Sequence, residues 1–121
     1  MPLYLCNAVR GVIPDPAKAK IATDLTEIHC ELTGAARDLV HVFFFEDAPQ
    51  LPINGKCVFL FGSHCSGEGA CVKRVLLERM KAAIFAHSGV PMGEIMADLT
   101  EIPGTWVMEG GTVGGPRLAH A

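Results

Sequence analysis

No apolar run in this sequence approaches the roughly 18 residues that a membrane-spanning helix requires, and Arg10, Gly11 and Asp15 interrupt the start before a signal-peptide core can form. A cytoplasmic chain with no membrane partner is the expectation. Basic clustering is missing too. The ten Lys and Arg are scattered among 13 Asp and Glu, for a net charge of −3, so nucleic acid is not an expected partner. The five cysteines (Cys6, Cys30, Cys57, Cys65 and Cys71) are odd in number and form no paired framework, which predicts reduced thiols in a reducing compartment. Neither C-x2-C nor H-x3-H spacing occurs, and the adjacent pairs His29-Cys30 and His64-Cys65 point in different directions on any regular element, so no metal is expected. Gly62-x4-Gly67-x-Gly69 lacks the Lys-Ser/Thr ending that holds phosphate and magnesium. No cofactor follows from these stretches.

Charge as a whole is scarce at 19%, against 50% apolar residues and a mean hydropathy of +0.32. A chain of 121 residues can build a real core, yet this balance leaves apolar surface to close against other subunits. An oligomer is expected.

Residues 3–9 read as a strand. Ile13-Pro14-Asp15-Pro16 then delivers a helix start, with Asp15 as cap and Pro16 at the first helical position. Ile21, Leu25, Ile28 and Leu32 recur at spacings of four, three and four, which predicts an amphipathic helix from Ala17 to about Leu32 that stops at Thr33-Gly34. Leu39 to Glu46 is nearly continuous in its apolar character and reads as a strand covered on both faces. Two prolines and Asn54-Gly55 break the pattern over 48–55. The order then repeats: a strand from Lys56 to Gly62, a glycine-rich loop from Ser63 to Gly69, a helix from Ala70 to about His87 carrying Val72, Val75, Leu76, Met80, Ala83 and Ile84, and a strand from Glu94 to Glu101.

Sliding one half over the other by 55 positions sets Lys18 on Lys73, Thr33-Gly34 on Ser88-Gly89, Val40 on Ile95, Glu46 on Glu101 and Pro2 on Cys57. The expectation is one α/β (α+β) domain over 1–121. It contains βαβ unit 1 at about 2–47, a linker at 48–55, βαβ unit 2 at about 56–102 and a tail at 103–121. Right-handed crossovers make the strands within each unit parallel, so the two units form a four-stranded sheet with both helices on one face. The other face, with Phe43, Phe45, Leu60 or their neighbours, then requires a cover from other protomers. In the tail, Trp106, Gly110-Gly111 and Gly114-Gly115-Pro116 predict a short hairpin.

The chemistry begins at Met1-Pro2. With Met1 removed, Pro2 is a secondary amine at the chain terminus, a base that needs no side chain. This start, the tandem βαβ units and a Trp near a Gly-Gly pair resemble the tautomerase superfamily. Pro2-Leu3-Tyr4, Ala17-Lys18 and Ile28-His29-Cys30-Glu31-Leu32-Thr33-Gly34 are similar in type and spacing to the cis-3-chloroacrylic acid dehalogenase group. The resemblance implies a trimeric tautomerase-like fold and no cofactor. It also implies a site of proline, helix histidine, two loop arginines, strand tyrosine and late glutamate.

Residue by residue it assigns catalysis to Pro2, His29 and Glu109. The two arginine positions fall on Cys65 and Glu68, and the tyrosine position on Asp98. A guanidinium fork is the usual grip on a carboxylate, so Arg10, Arg37 or Arg117 would have to supply it. The substrate-binding candidates are therefore Arg10, Arg37, Asp98, Cys65 and Arg117. His29, at a helix end, is expected to act as a cation favoured by the dipole. The activity implied is tautomerisation of a small 2-oxo acid or its enol by a homotrimer. The alternatives are a dehalogenase-like hydratase, with Glu109 orienting water, and an oligomeric binding module that has lost the chemistry.

Overall fold

The computed structural model describes residues 2–46, 54–65, 70–106, 108–109 and 112–113. Strand β1 (Leu3–Ala8) is followed by helix α1 (Asp15–Thr33), a 3-10 turn (Arg37–Leu39) and strand β2 (His41–Phe45). Strand β3 (Val58–Cys65), helix α2 (Ala70–Ser88), a 3-10 turn (Met92–Glu94) and strand β4 (Ile95–Ile102) repeat that order. The sheet runs β2-β1-β3-β4, parallel within each βαβ unit and antiparallel where β1 meets β3. This is the tandem βαβ architecture expected. The two helices begin and end 55 positions apart, and each stops at a glycine of left-handed conformation, Gly34 (φ 78) and Gly89 (φ 79). Thr33 and Ser88 repeat the same device at those ends, each hydroxyl donating to the carbonyl four residues back and accepting the N–H two residues on.

Side chains alternate across a strand, so Tyr4, Cys6, Ala8, Val58, Leu60, Ile95 and Leu99 face the helices and are buried. Ile21, Leu25 and Ile28 of α1 and Leu76, Met80 and Ile84 of α2 close over them. Burial drives the Cys6 thiol up to about 12, so it is an inert core residue. The helices run antiparallel, because Glu31 holds Arg79 with both oxygens (2.7 and 3.3 Å) while Asp24 meets His87 at 2.7 Å.

Several local expectations change. Pro14 is the N-cap and Asp15 already lies in α1, where it pairs with Lys18 at 2.6 Å. Val75 is 44% exposed, because α2 turns Leu76 and Met80 inward instead. Leu60 faces the helices, and Phe59 and Phe61 take the other side. Strand β3 continues to Cys65, held on β1 by Leu3↔Ser63 and on β4 by His64↔Glu101 and Cys65↔Ile102, so 63–65 is strand and not loop. Strand β2 is an edge strand whose outer side chains Phe43 and Phe45 are 50% and 48% exposed, so within one chain only its helix side is covered.

The repeat also slips by one residue in its first strands. Leu3 pairs with His41, 38 positions on, whereas Val58 pairs with Ile95, 37 positions on. The offset from β1 to β3 is therefore 56, and Pro2 corresponds to Val58 rather than Cys57. The tail contributes a 3-10 turn (Gly104–Trp106) and the predicted hairpin, β5 (Met108–Glu109) against β6 (Thr112–Val113).

At the end of the sheet where β1 finishes, Glu46 accepts the Gly11 N–H and a Lys18 hydrogen bond, both at 3.2 Å. The Gly11 N–H first, and then Lys18, hold its carboxyl below the ordinary value of 4.5. A carboxyl lowered by folding stabilises the fold above its unfolded value, and that stability is lost as pH falls through the folded one. Thermal midpoints measured below pH 4.5 should therefore drop less steeply for Glu46→Gln than for the parent chain. Identical acid limbs would remove Glu46 from this role.

Candidate active site

Proline lacks the N–H that a sheet ladder requires, so it is placed at a strand's first residue. Pro2 sits there, directly before β1, buried, with its carbonyl accepting the His41 N–H at 3.1 Å. Two positions on, and on the same face, is Tyr4. A crossover helix runs back against its strand, so the last turn of α1 returns to the end where β1 starts. That turn carries His29.

The meeting is direct. Tyr4 Oη lies 2.6 Å from His29 Nδ1, the rings are edge-on at 5.5 Å between centroids, and the two side chains are 0% and 2% exposed. The chain thus brings Pro2, Tyr4 and His29 to one end of the helix-facing side of β1. His29 is a buried core residue rather than a solvated helix-end one. Tyr4 had no role in the reading from sequence. The available signal was strand alternation, which sets residues 2 and 4 on one face.

The remaining candidates separate. Arg37 lies in the 3-10 turn before β2, at the Pro2 end, and pairs with Glu27. Arg10 lies past the far end of β1, some 20 Å from Pro2 at about 3.3 Å per residue, beside Glu46. Asp98 shares the open face with Phe61, its register partner; its carboxylate is 62% exposed and 3.7 Å from Lys73. The chain does not bring Arg10 or Asp98 to Pro2. Cys65 ends β3 at the Pro2 end, but its side chain lies outside the described residues, as do the side chain of Glu109 on β5 and the whole of Arg117.

Two cations that the sequence does not mark as site candidates belong to this end. Lys73 and Arg74 are near the start of α2, which follows β3 as it finishes beside Pro2. Among the described residues no group of three or more His, Cys, Asp or Glu side chains is placed to hold a metal ion, and no helix is long and apolar enough to cross a membrane.

Neither a family model nor a curated protein matches the sequence. Solved structures do. N1, a member of the cis-3-chloroacrylic acid dehalogenase family, is 28% identical, with a TM-score of 0.79 over 95% of this chain and 85% of its own. A fused 4-OT solved as an asymmetric trimer is 19% identical, with a TM-score of 0.81 over 93% and 95%. Pt0534 inactivated by 2-oxo-3-pentynoate is 14% identical, with a TM-score of 0.82 over 97% and 98%. The chain has the tautomerase-superfamily fold, and the structures it resembles include the cis-3-chloroacrylic acid dehalogenase group.

Proposed function

We propose that this protein is a tautomerase acting on a small 2-oxo acid or its enol, with the amine of Pro2 as general base once Met1 is removed. The observation that carries the reading is the convergence of buried Pro2 and the buried Tyr4–His29 pair at one end of β1. An unprotonated Pro2 takes a proton from the enol oxygen or the adjacent carbon and returns it at the other position, while His29 hydrogen-bonds a substrate oxygen. Among the described residues Arg37, Lys73 and Arg74 bring positive charge to this end, and a substrate carboxylate would compete there with Glu27 for Arg37 and with Asp98 for Lys73. Inactivation of Pt0534 by a 2-oxo acid supports that substrate class.

The site is proposed to work in a homotrimer, as the fused 4-OT structures are trimers and the sheet's open face is apolar. Free thiols at Cys6, Cys30, Cys57 and Cys71 support a cytoplasmic setting. A chain purified with Met1 removed should ketonise phenylenolpyruvate or 2-hydroxymuconate. Silence across a panel of such enols would reject the reading.

One observation favours a second reading. Cys65 and Glu68 stand where the resemblance places two arginines, so the fold is also compatible with a dehalogenase-like hydratase of altered substrate, using Glu109 to orient water, or with a binding module that has lost catalysis. Retention of Met1 in the mature chain, read by mass spectrometry, would select the binding module, because an amide nitrogen is no base.

A further inference from the structure

The two halves of the chain treat one core position differently. With the 56-residue offset of the first strands and the 55-residue offset of the helices, Tyr4 corresponds to Leu60 and His29 to Ile84. Leu60 and Ile84 are both fully buried, as ordinary apolar packing. The fold thus seats an aliphatic pair where unit 1 has a phenol and an imidazole. Burying polar groups costs free energy unless they satisfy one another, so the pair in unit 1 calls for a reason other than filling the core.

The surroundings are shaped for it. Tyr4 pairs across the ladder with Gly62, and a Cβ built on Gly62 would stand 2.4 Å from Tyr4 Cε1 and 2.8 Å from Leu99 Cδ1. Strand β3 has no side chain where the Tyr4 ring crosses toward α1. At the other end of the contact, the His29 carbonyl accepts the Thr33 hydroxyl at 2.8 Å, which anchors the turn that carries the ring. Burial also raises the proton affinity of the Tyr4 phenol, so it keeps its hydrogen.

We propose that Tyr4 is a positioning residue: its O–H donates to Nδ1 of His29 and fixes the ring as the neutral tautomer with its proton on Nε2. His29 then offers a substrate oxygen a neutral Nε2–H donor of set direction. The catalytic consequence rests on the function proposed above; the tautomer does not. The opposite polarity, with Nδ1–H donating to the phenol oxygen, is the alternative that the same 2.6 Å contact allows.

Nitrogen-15 NMR of the full chain labelled at histidine distinguishes them, with His29→Gln assigning the ring. The expected spectrum has His29 Nδ1 unprotonated and Nε2 protonated in the unliganded protein. Tyr4→Phe should release the tautomer preference and lower kcat/KM roughly three- to tenfold, the range of one net hydrogen bond. Gly62→Ala, which keeps the phenol but displaces its ring, should shift both readouts the same way. A protonated Nδ1 on the His29 ring of the parent chain overturns the proposal. A Tyr4→Phe protein with unchanged tautomer also overturns it. Absent turnover with an unprotonated Nδ1 would instead reject the enzymatic reading and leave the hold of Tyr4 on His29 in place.

Discussion

Pro2→Ala, with Met1 removed, is expected to lower kcat/KM for enol ketonisation by about 10²- to 10⁴-fold, the usual contribution of a positioned general base. The structural duties of Pro2 are few: it starts a strand, and its carbonyl accepts the His41 N–H at 3.1 Å. Alanine keeps that carbonyl. A large loss with an unchanged circular dichroism spectrum would therefore report chemistry rather than unfolding. Alanine also keeps a terminal amine, now primary and no longer held by a ring, so some residual activity is compatible with the role. The cleaner control is the parent sequence with Met1 retained, where residue 2 contributes an amide without a basic lone pair. That form should be inactive even though every described contact is preserved. The pH profile adds a second test. A base must be unprotonated to act, so kcat/KM should rise with pH through the titration of the amine, and Pro2→Ala should move that limb. If the alanine variant matches its parent in rate and profile, Pro2 is not the base.

Much of this arrangement is legible along the chain because local rules and the tertiary fold agree. Gly34 and Gly89 mark helix ends by a conformation that other residues resist, and Ile21, Leu25 and Ile28 fall on one helical face because 3.6 residues make a turn. Where neighbours on other elements decide, the sequence misleads. Ser63, His64 and Cys65 read as a glycine-rich loop, yet they continue β3 because β1 and β4 pair with them. Val75 is as apolar as Leu76, and only the phase set by packing on β4 and α1 turns it outward. The Tyr4–His29 contact joins residues 25 positions apart through a crossover, so composition and spacing could supply the ingredients but not the 2.6 Å approach. Arg10 shows the converse. Its charge suits a carboxylate, but the length of β1 carries it to the far end of the sheet.

Phe43→Glu is expected to convert the proposed trimer to monomer at micromolar concentration and to remove most of the proposed activity with the assembly. Phe43 is 50% exposed in the single chain and is the register partner of Leu5, which pairs on its other side with Phe61. With Phe45, 48% exposed, these side chains make an apolar strip across the face that the helices leave open. Such a strip is costly to leave in water and gains roughly 25 cal/mol for each Å² that a neighbour covers. A carboxylate in the same place loses its hydration when the subunits meet, at an effective penalty of several kcal/mol per ion. Each 1.4 kcal/mol is a factor of ten, so the association constant should fall by about 10² or more at each contact. Val75→Glu is the matched control. It adds the same charge at a site 44% exposed, on the outer surface of α2, and should leave the mass by light scattering unchanged. A parent chain that is already monomeric, or a Phe43→Glu protein that remains trimeric, would show that the open face is not where the subunits join.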